Sequence, residues 1–212
     1  MIYHLTDRHV LGSGGRMRPK RLNVKITIPF LGEIGGEWEP DDAEQRAAWE
    51  LYVELVTRVS VVPLREDEGS AREALASMYV LFATVRDILK RYGPDVAPPG
   101  ARNEVSFGIL AVTVLNRAVR PVLSKWHPRL TAWESSVPAG RSAVEHEKAW
   151  QEIDALRADL DSLRLVLMEL AQVLGNVAGA ADLIGSLEVV PAQAPRTSVS
   201  SQAPAPRGPA IP

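Results

Sequence analysis

Residues 153–174 read IDALRADLDSLRLVLMELAQVL. Ile153, Leu156, Leu160, Leu163, Leu167, Leu170 and Leu174 recur at alternating steps of three and four, without a break. On a helix of 3.6 residues per turn that spacing lays all seven on one stripe. The flanking positions change along the segment. Asp154, Arg157, Asp159 and Asp161 are charged, whereas Leu165, Val166, Met168 and Val173 are apolar. The second half therefore predicts a helix covered on more than one side. A stripe this regular needs partner stripes, and three lie upstream.

Asp41 with Glu44 forms a capping pair and predicts a helix from residue 41 to about Ser60. Trp49, Tyr52, Val53, Leu55, Val56 and Val59 form its apolar face, and Pro63 stops it. Ser70 with Glu73 repeats the start signal. That second helix is expected to bury Leu75, Met78, Tyr79, Phe82, Val85 and Leu89 and to end at Gly93-Pro94. A third helix is predicted from about Ser106 to Trp126. Pro121 should kink it by removing the hydrogen bond to the Arg117 carbonyl, and Pro128 should close it. Ser142 with Glu145 starts the fourth, which runs on into the leucine stripe.

The N-terminal part has a different period. In LNVKITIPF, residues 22–30, Leu22, Val24, Ile26, Ile28 and Phe30 alternate with Asn23, Lys25 and Thr27, the pattern of a half-buried strand. Residues 1–5 are its expected hairpin partner, across Gly12-Ser13-Gly14-Gly15. At the other end, residues 191–212 hold six prolines among Ala, Ser and Gln, a composition that builds no core. The expected architecture is mainly α: an antiparallel four-helix bundle at 41–176, a small β-hairpin and linker at 1–40, a short apolar segment at 177–190, and a disordered Pro-rich tail at 191–212.

Composition narrows the classes. The 212 residues are 46% hydrophobic and 24% charged, as in ordinary globular chains. The absence of cysteine excludes disulfides, thiolate metal sites and cysteine nucleophiles. MIYHLTDRHV carries Asp7 and no uninterrupted apolar run, so no signal peptide is expected. No unbroken run of 18 apolar residues occurs either, so no membrane span is expected and the cytoplasm is the expected compartment. Net charge is −2 but unevenly placed. Residues 1–30 carry six cations against Asp7 alone, and residues 33–54 carry eight carboxylates against Arg46 alone. These blocks should attract each other, within a chain or between copies. The overall acidity makes nucleic acid the lesser candidate partner.

The third predicted helix holds the best constellation for chemistry. At 100° per residue, Thr113, Asn116, Arg117, Arg120, Ser124 and His127 share an arc of roughly 100°, opposite Phe107, Leu110, Val114, Val119 and Trp126. Arg120 and His127 lie seven apart, about 10 Å along the axis. An arginine can grip a phosphate with two hydrogen bonds, and a histidine can act as general acid or base. Together they would suit metal-free RNA cleavage. The run Arg120-Pro-Val-Leu-Ser-Lys-Trp-His127 resembles the arginine-x4-6-histidine signature of HEPN ribonucleases, four-helix proteins that often act as dimers. The resemblance implies a metal-independent ribonuclease with Arg120 and His127 at its site. Here prolines follow both residues, and the spacing recurs at Arg141 and His146. The plainer reading is a solvated polar face, with His127 complementing a helix C-terminus.

Other features point to structure. His4, Asp7 and His9 are metal-ligand types, but positions 4 and 9 face opposite ways on a strand, so no metal is expected. The glycine loop at 12–15 precedes Arg16, Arg18, Lys20 and Arg21 yet lacks the Lys-Ser/Thr of a phosphate loop. Glu145-His146-Glu147 lacks the Glu-x-x-His spacing of di-iron bundles. No cofactor is expected. Trp49 and Trp150 read as core. Trp38 and Trp133 read as connector residues, either interface anchors or plugs of the bundle ends. The leading expectation is a protein-interaction or accessory subunit that self-associates, with Leu163, Leu167, Leu170, Leu174, Trp38 and Trp133 at the interface. The alternative is the HEPN-like ribonuclease.

Overall fold

The computed structural model describes residues 21–29, 32–58, 69–99, 104–180 and 183. They form a mainly helical chain with one small antiparallel hairpin at its N-terminal end. The strands are β1 (Leu22–Ile28) and β2 (Gly32–Trp38). The helices are α1 (Asp42–Val56), α2 (Ala71–Tyr92), α3 (Phe107–Glu134), α4 (Ala143–Lys148) and α5 (Ile153–Ala178).

The alternating strand forms as its pattern predicts: Leu22, Val24, Ile26 and Ile28 are buried and the residues between them are exposed. Its partner in the hairpin is the segment that follows it. Leu22 pairs with Trp38 and Ile28 with Gly32, so residues 32–38 take the place expected of residues 1–5, which lie outside the described residues, as does Phe30. The sequence GEIGGEW hides its strand because three of its seven residues are glycine. Gly35 has a packing reason: a Cβ there would lie 2.8 Å from the Val24 carbonyl oxygen. The opposite charge blocks meet across this hairpin. Arg21 pairs with Glu37 at 3.3 Å and Glu39 at 3.6 Å, and Lys25 with Glu33 at 2.8 Å. Exposed pairs of this kind contribute about 0–1 kcal/mol each, enough to favour a register but not to hold a fold.

Two buried glutamates organise the helix starts. Asp41 accepts from the Glu44 amide at 2.8 Å and the Glu44 carboxylate accepts from the Asp41 amide at 3.3 Å, the capping box expected for α1. The same carboxylate also accepts from the Phe107 amide at 2.9 Å, so it caps α3 as well. At α2, Ser70 caps the Arg72 amide, but Glu73 does not complete a box. Glu147 of α4 does that work from a distance in sequence, accepting from the Ala71 amide and the Ser70 hydroxyl at 2.9 Å. Four unpaired amides open every helix, and carboxylates are favoured there.

The remaining helix boundaries depart from expectation in three places. Helix α1 stops at Val56, short of the expected Ser60, with Thr57 as its C-cap. Pro128 does not close α3, which continues to Glu134. Pro121 instead follows a turn of π-helix at Leu115–Val119, where the wider winding accommodates the missing donor. The fourth predicted helix is two. Its capping box at Ser142 and Glu145 is present, yet α4 stops at Lys148 and the chain turns through Trp150 before α5 begins.

All seven residues of the leucine stripe are buried, and α5 packs chiefly on α1 with β1 against it. Leu163, Leu167, Leu170 and Leu174 therefore lie in this chain's own core. Trp38 is fully buried at the end of β2, and Trp150 is buried at the turn into α5. Trp49, expected inside, is 45% exposed on α1, and Tyr79 is 63% exposed on α2. Helix α3 is long and apolar enough to cross a membrane by length and composition, and half of its most apolar window is buried against the rest of the chain. The C-terminal cap of α5 is Gly179 in the left-handed region at φ 62°; the tail at 191–212 lies outside the described residues.

Candidate functional site

The most distinctive surface is a groove between α2 and α3. It begins with a run in α2 that one helical face cannot bury. Met78, Tyr79, Val80, Leu81, Phe82 and Ala83 are six consecutive apolar residues. Met78 and Leu81 go inward, and Tyr79 and Val80 stay exposed. Two clefts, of about 400 and 370 Å³, adjoin at Phe82, Arg86 and Arg120, which line both, and together they make up the groove. Its floor is mostly aliphatic, with Val85, Leu89, Val112, Leu115 and Leu123. Arg86 and Lys90, four apart on α2, flank it on one side, and Arg120 on α3 flanks it on the other. Among the described residues no carboxylate lines either cleft.

Arg120 is held in place. Its Nε donates to Asn116 Oδ1 at 3.0 Å, and its guanidinium sits 4.9 Å from the centre of the Phe82 ring. Such a contact adds about 0.5–1 kcal/mol at an exposed site. Tyr79 packs at 6.3 Å from Phe82 and meets the His127 ring edge-on at 6.2 Å. Arg120 and His127 are thus linked through two aromatic rings, with no hydrogen bond between them among the described contacts.

The guanidinium beside His127 belongs to Arg72. Its Nη1 lies 3.4 Å from His127 Nδ1. Arg72 also grips Glu134 with two hydrogen bonds, at 2.8 and 2.6 Å, and donates to Thr131 at 3.1 Å. This ties the start of α2 to the end of α3. Of the predicted polar arc, Asn116 and Ser124 line the groove with Arg120; Thr113 is half-buried and Arg117 is exposed. The π-helical turn adds an extra residue to the winding beside Asn116, so an arc drawn at a constant 100° per residue does not hold across it.

Trp133, expected in a connector, lies in the last turn of α3. Its ring stacks on His146 of α4 at 4.4 Å, and each residue donates to the other's carbonyl at 2.9 Å. That clasp positions α4, and with it Glu147 at the start of α2.

A separate cleft of about 230 Å³ lies beside β2. Glu37, Glu39, Glu44 and Glu104 line it, with Arg21. Burial pushes the Glu44 carboxyl above its ordinary range, although the amides of Phe107 and Asp41 pull it down. Among the described residues no three His, Asp or Glu side chains converge as metal ligands, and His4, Asp7 and His9 lie outside them.

Of the residues singled out in the sequence, Asn116, Arg120 and Ser124 line the groove and His127 lies beside it against Tyr79 and Arg72; the sequence reading did not single out Tyr79, Arg86, Lys90 or Arg72 for this surface. The signal was the six-residue apolar run followed by Arg86 and Lys90, too wide for one buried face and bordered by cations. Comparison with protein-family models, with curated proteins and with solved structures gives no match.

Proposed function

We propose that this chain is a cytoplasmic protein-interaction module, either self-associating or seated as an accessory subunit of a larger assembly, and that it works through the α2–α3 groove. The reading treats α1, α2, α3 and α5 as an antiparallel four-helix bundle braced by the hairpin. One observation carries it: an open groove with an aliphatic floor, bordered by three cations and, among the described residues, lined by no carboxylate. An apolar groove bordered by one sign of charge suits a partner of the opposite charge. The test is mass by light scattering across protein concentrations, alone and with co-purifying proteins. A Val80→Asp, Val112→Asp double variant keeps the wild-type Tm, because both side chains are exposed, and loses association. Association unchanged in that variant sinks the proposal.

A second reading draws on the same groove. Arg120 lines it, with His127 two helical turns away, and an HEPN-like metal-independent ribonuclease would use that pair. An Arg120→Ala, His127→Ala double variant would then lose RNA cleavage. Under the interaction reading the wild type shows no cleavage to lose.

A further inference from the structure

We infer that the occupant of the α2–α3 groove is an acidic amphipathic helix from another polypeptide. The inference rests on the interaction reading and adds the chemistry of the partner. From Tyr79 to Lys90 the two clefts together follow α2 over twelve residues, about 17 Å, or three helical turns. A partner helix of that length presents apolar residues at i, i+3, i+4 and i+7 to the aliphatic floor. Arg86 and Lys90 on one side and Arg120 on the other then face its flanks. Neither Arg86 nor Lys90 has a carboxylate partner among the described residues. Carboxylates on both flanks of the guest meet these charges, while a basic guest meets repulsion.

The alternatives fit less well. Single-stranded nucleic acid needs free aromatic faces for its bases. Among the described residues the groove offers one exposed ring, Tyr79, at one end; the Phe82 face is covered by Arg120, and the floor beyond is aliphatic, so successive bases have no row of rings to stack on. Among the described residues, a second copy of this chain has only Glu73, Asp87 and Asp154 without a partner on its helices, and they are scattered over two of them. Glu50 is held by Arg91 and Tyr92, Glu54 by Arg58, Glu134 by Arg72, and Asp159 by Lys125.

Three labelled three-turn peptides test this by fluorescence anisotropy against the full chain. They share one apolar face and carry Glu, Gln or Lys on the flanks; a single-stranded RNA of similar length is the fourth probe. The Glu peptide binds at least about tenfold tighter than the Gln peptide. The advantage shrinks as salt rises from about 0.05 to 0.5 M. An Arg86→Glu, Lys90→Glu variant with unchanged Tm reverses the preference toward the Lys peptide. Equal binding of all three peptides, or preference for RNA, overturns the inference. If no peptide binds while Val80→Asp, Val112→Asp still abolishes association, the acidic helix is wrong and the interaction reading stands. If that variant also associates normally, both fall.

Discussion

Single carboxylates decide much of this structure. Glu147 is buried and accepts from the Ser70 hydroxyl and the Ala71 amide, at the point where α2 would otherwise open with unpaired donors. Glu147→Ala is expected to destabilise the chain by about 1–3 kcal/mol, measured by chemical denaturation, with Glu147→Gln recovering part of the loss. A loss near zero would mean that water replaces the carboxylate. Glu44 gives a pH signature. Its folded carboxyl titrates above the ordinary 4.5, so its contribution is fully present below that value and is lost as pH rises through the folded pKa. The Tm of the wild type is therefore expected to fall relative to Glu44→Gln between pH 4 and neutrality; parallel profiles would contradict this. Asp159 runs the other way. Burial raises it, but hydrogen bonds from Lys125 and Trp126 outweigh that and leave it below 3.8. Its contribution is present above 3.8 and is lost as pH falls through the folded pKa, so the advantage of wild type over Asp159→Asn shrinks in acid. The box at Asp41 and Glu44 was legible because three residues separate the partners. Its second role at Phe107, 63 residues away in sequence, was not.

At the scale of elements, local signals read well and tertiary ones did not. The starts of α1, α2 and α4 follow from Asp41, Ser70 and Ser142, and Gly93 ends α2 at φ 66°. Each is a short-range hydrogen-bond or backbone requirement. The β2 strand was hidden because its glycines answer to the backbone of β1 and not to their own neighbours. Pro128 was over-read: proline disfavours the helical region in the residue before it, but packing of Trp126 and Leu130 on the core keeps α3 going. Trp49 and Tyr79 follow helical spacing yet lie outside, since period alone does not say how wide the buried stripe is. The leucine seam was legible as a seam and silent about its partner. Leu167→Ala is expected to cost about 2–5 kcal/mol, the same loss at every protein concentration. A concentration-dependent loss would move that leucine to an interface between copies.

For the whole molecule, the stripe that reads most strongly in the sequence closes the fold, and the surface proposed for a partner is the groove between α2 and α3. The apolar run at 78–83 and the cations at 86 and 90 belong to one helix, whereas Arg120 comes from another, so the groove exists only once α2 and α3 are packed. The most direct measurement is photocrosslinking in cells, with a photoreactive side chain replacing Val80, Val112 or, as a control on the exposed face of α4, Val144. Positions 80 and 112 are expected to give one product of the same mass, lost when Arg86 and Arg120 are changed to Glu, and position 144 none. Crosslinks from position 144 alone, or groove products that survive the charge reversal, would contradict the account.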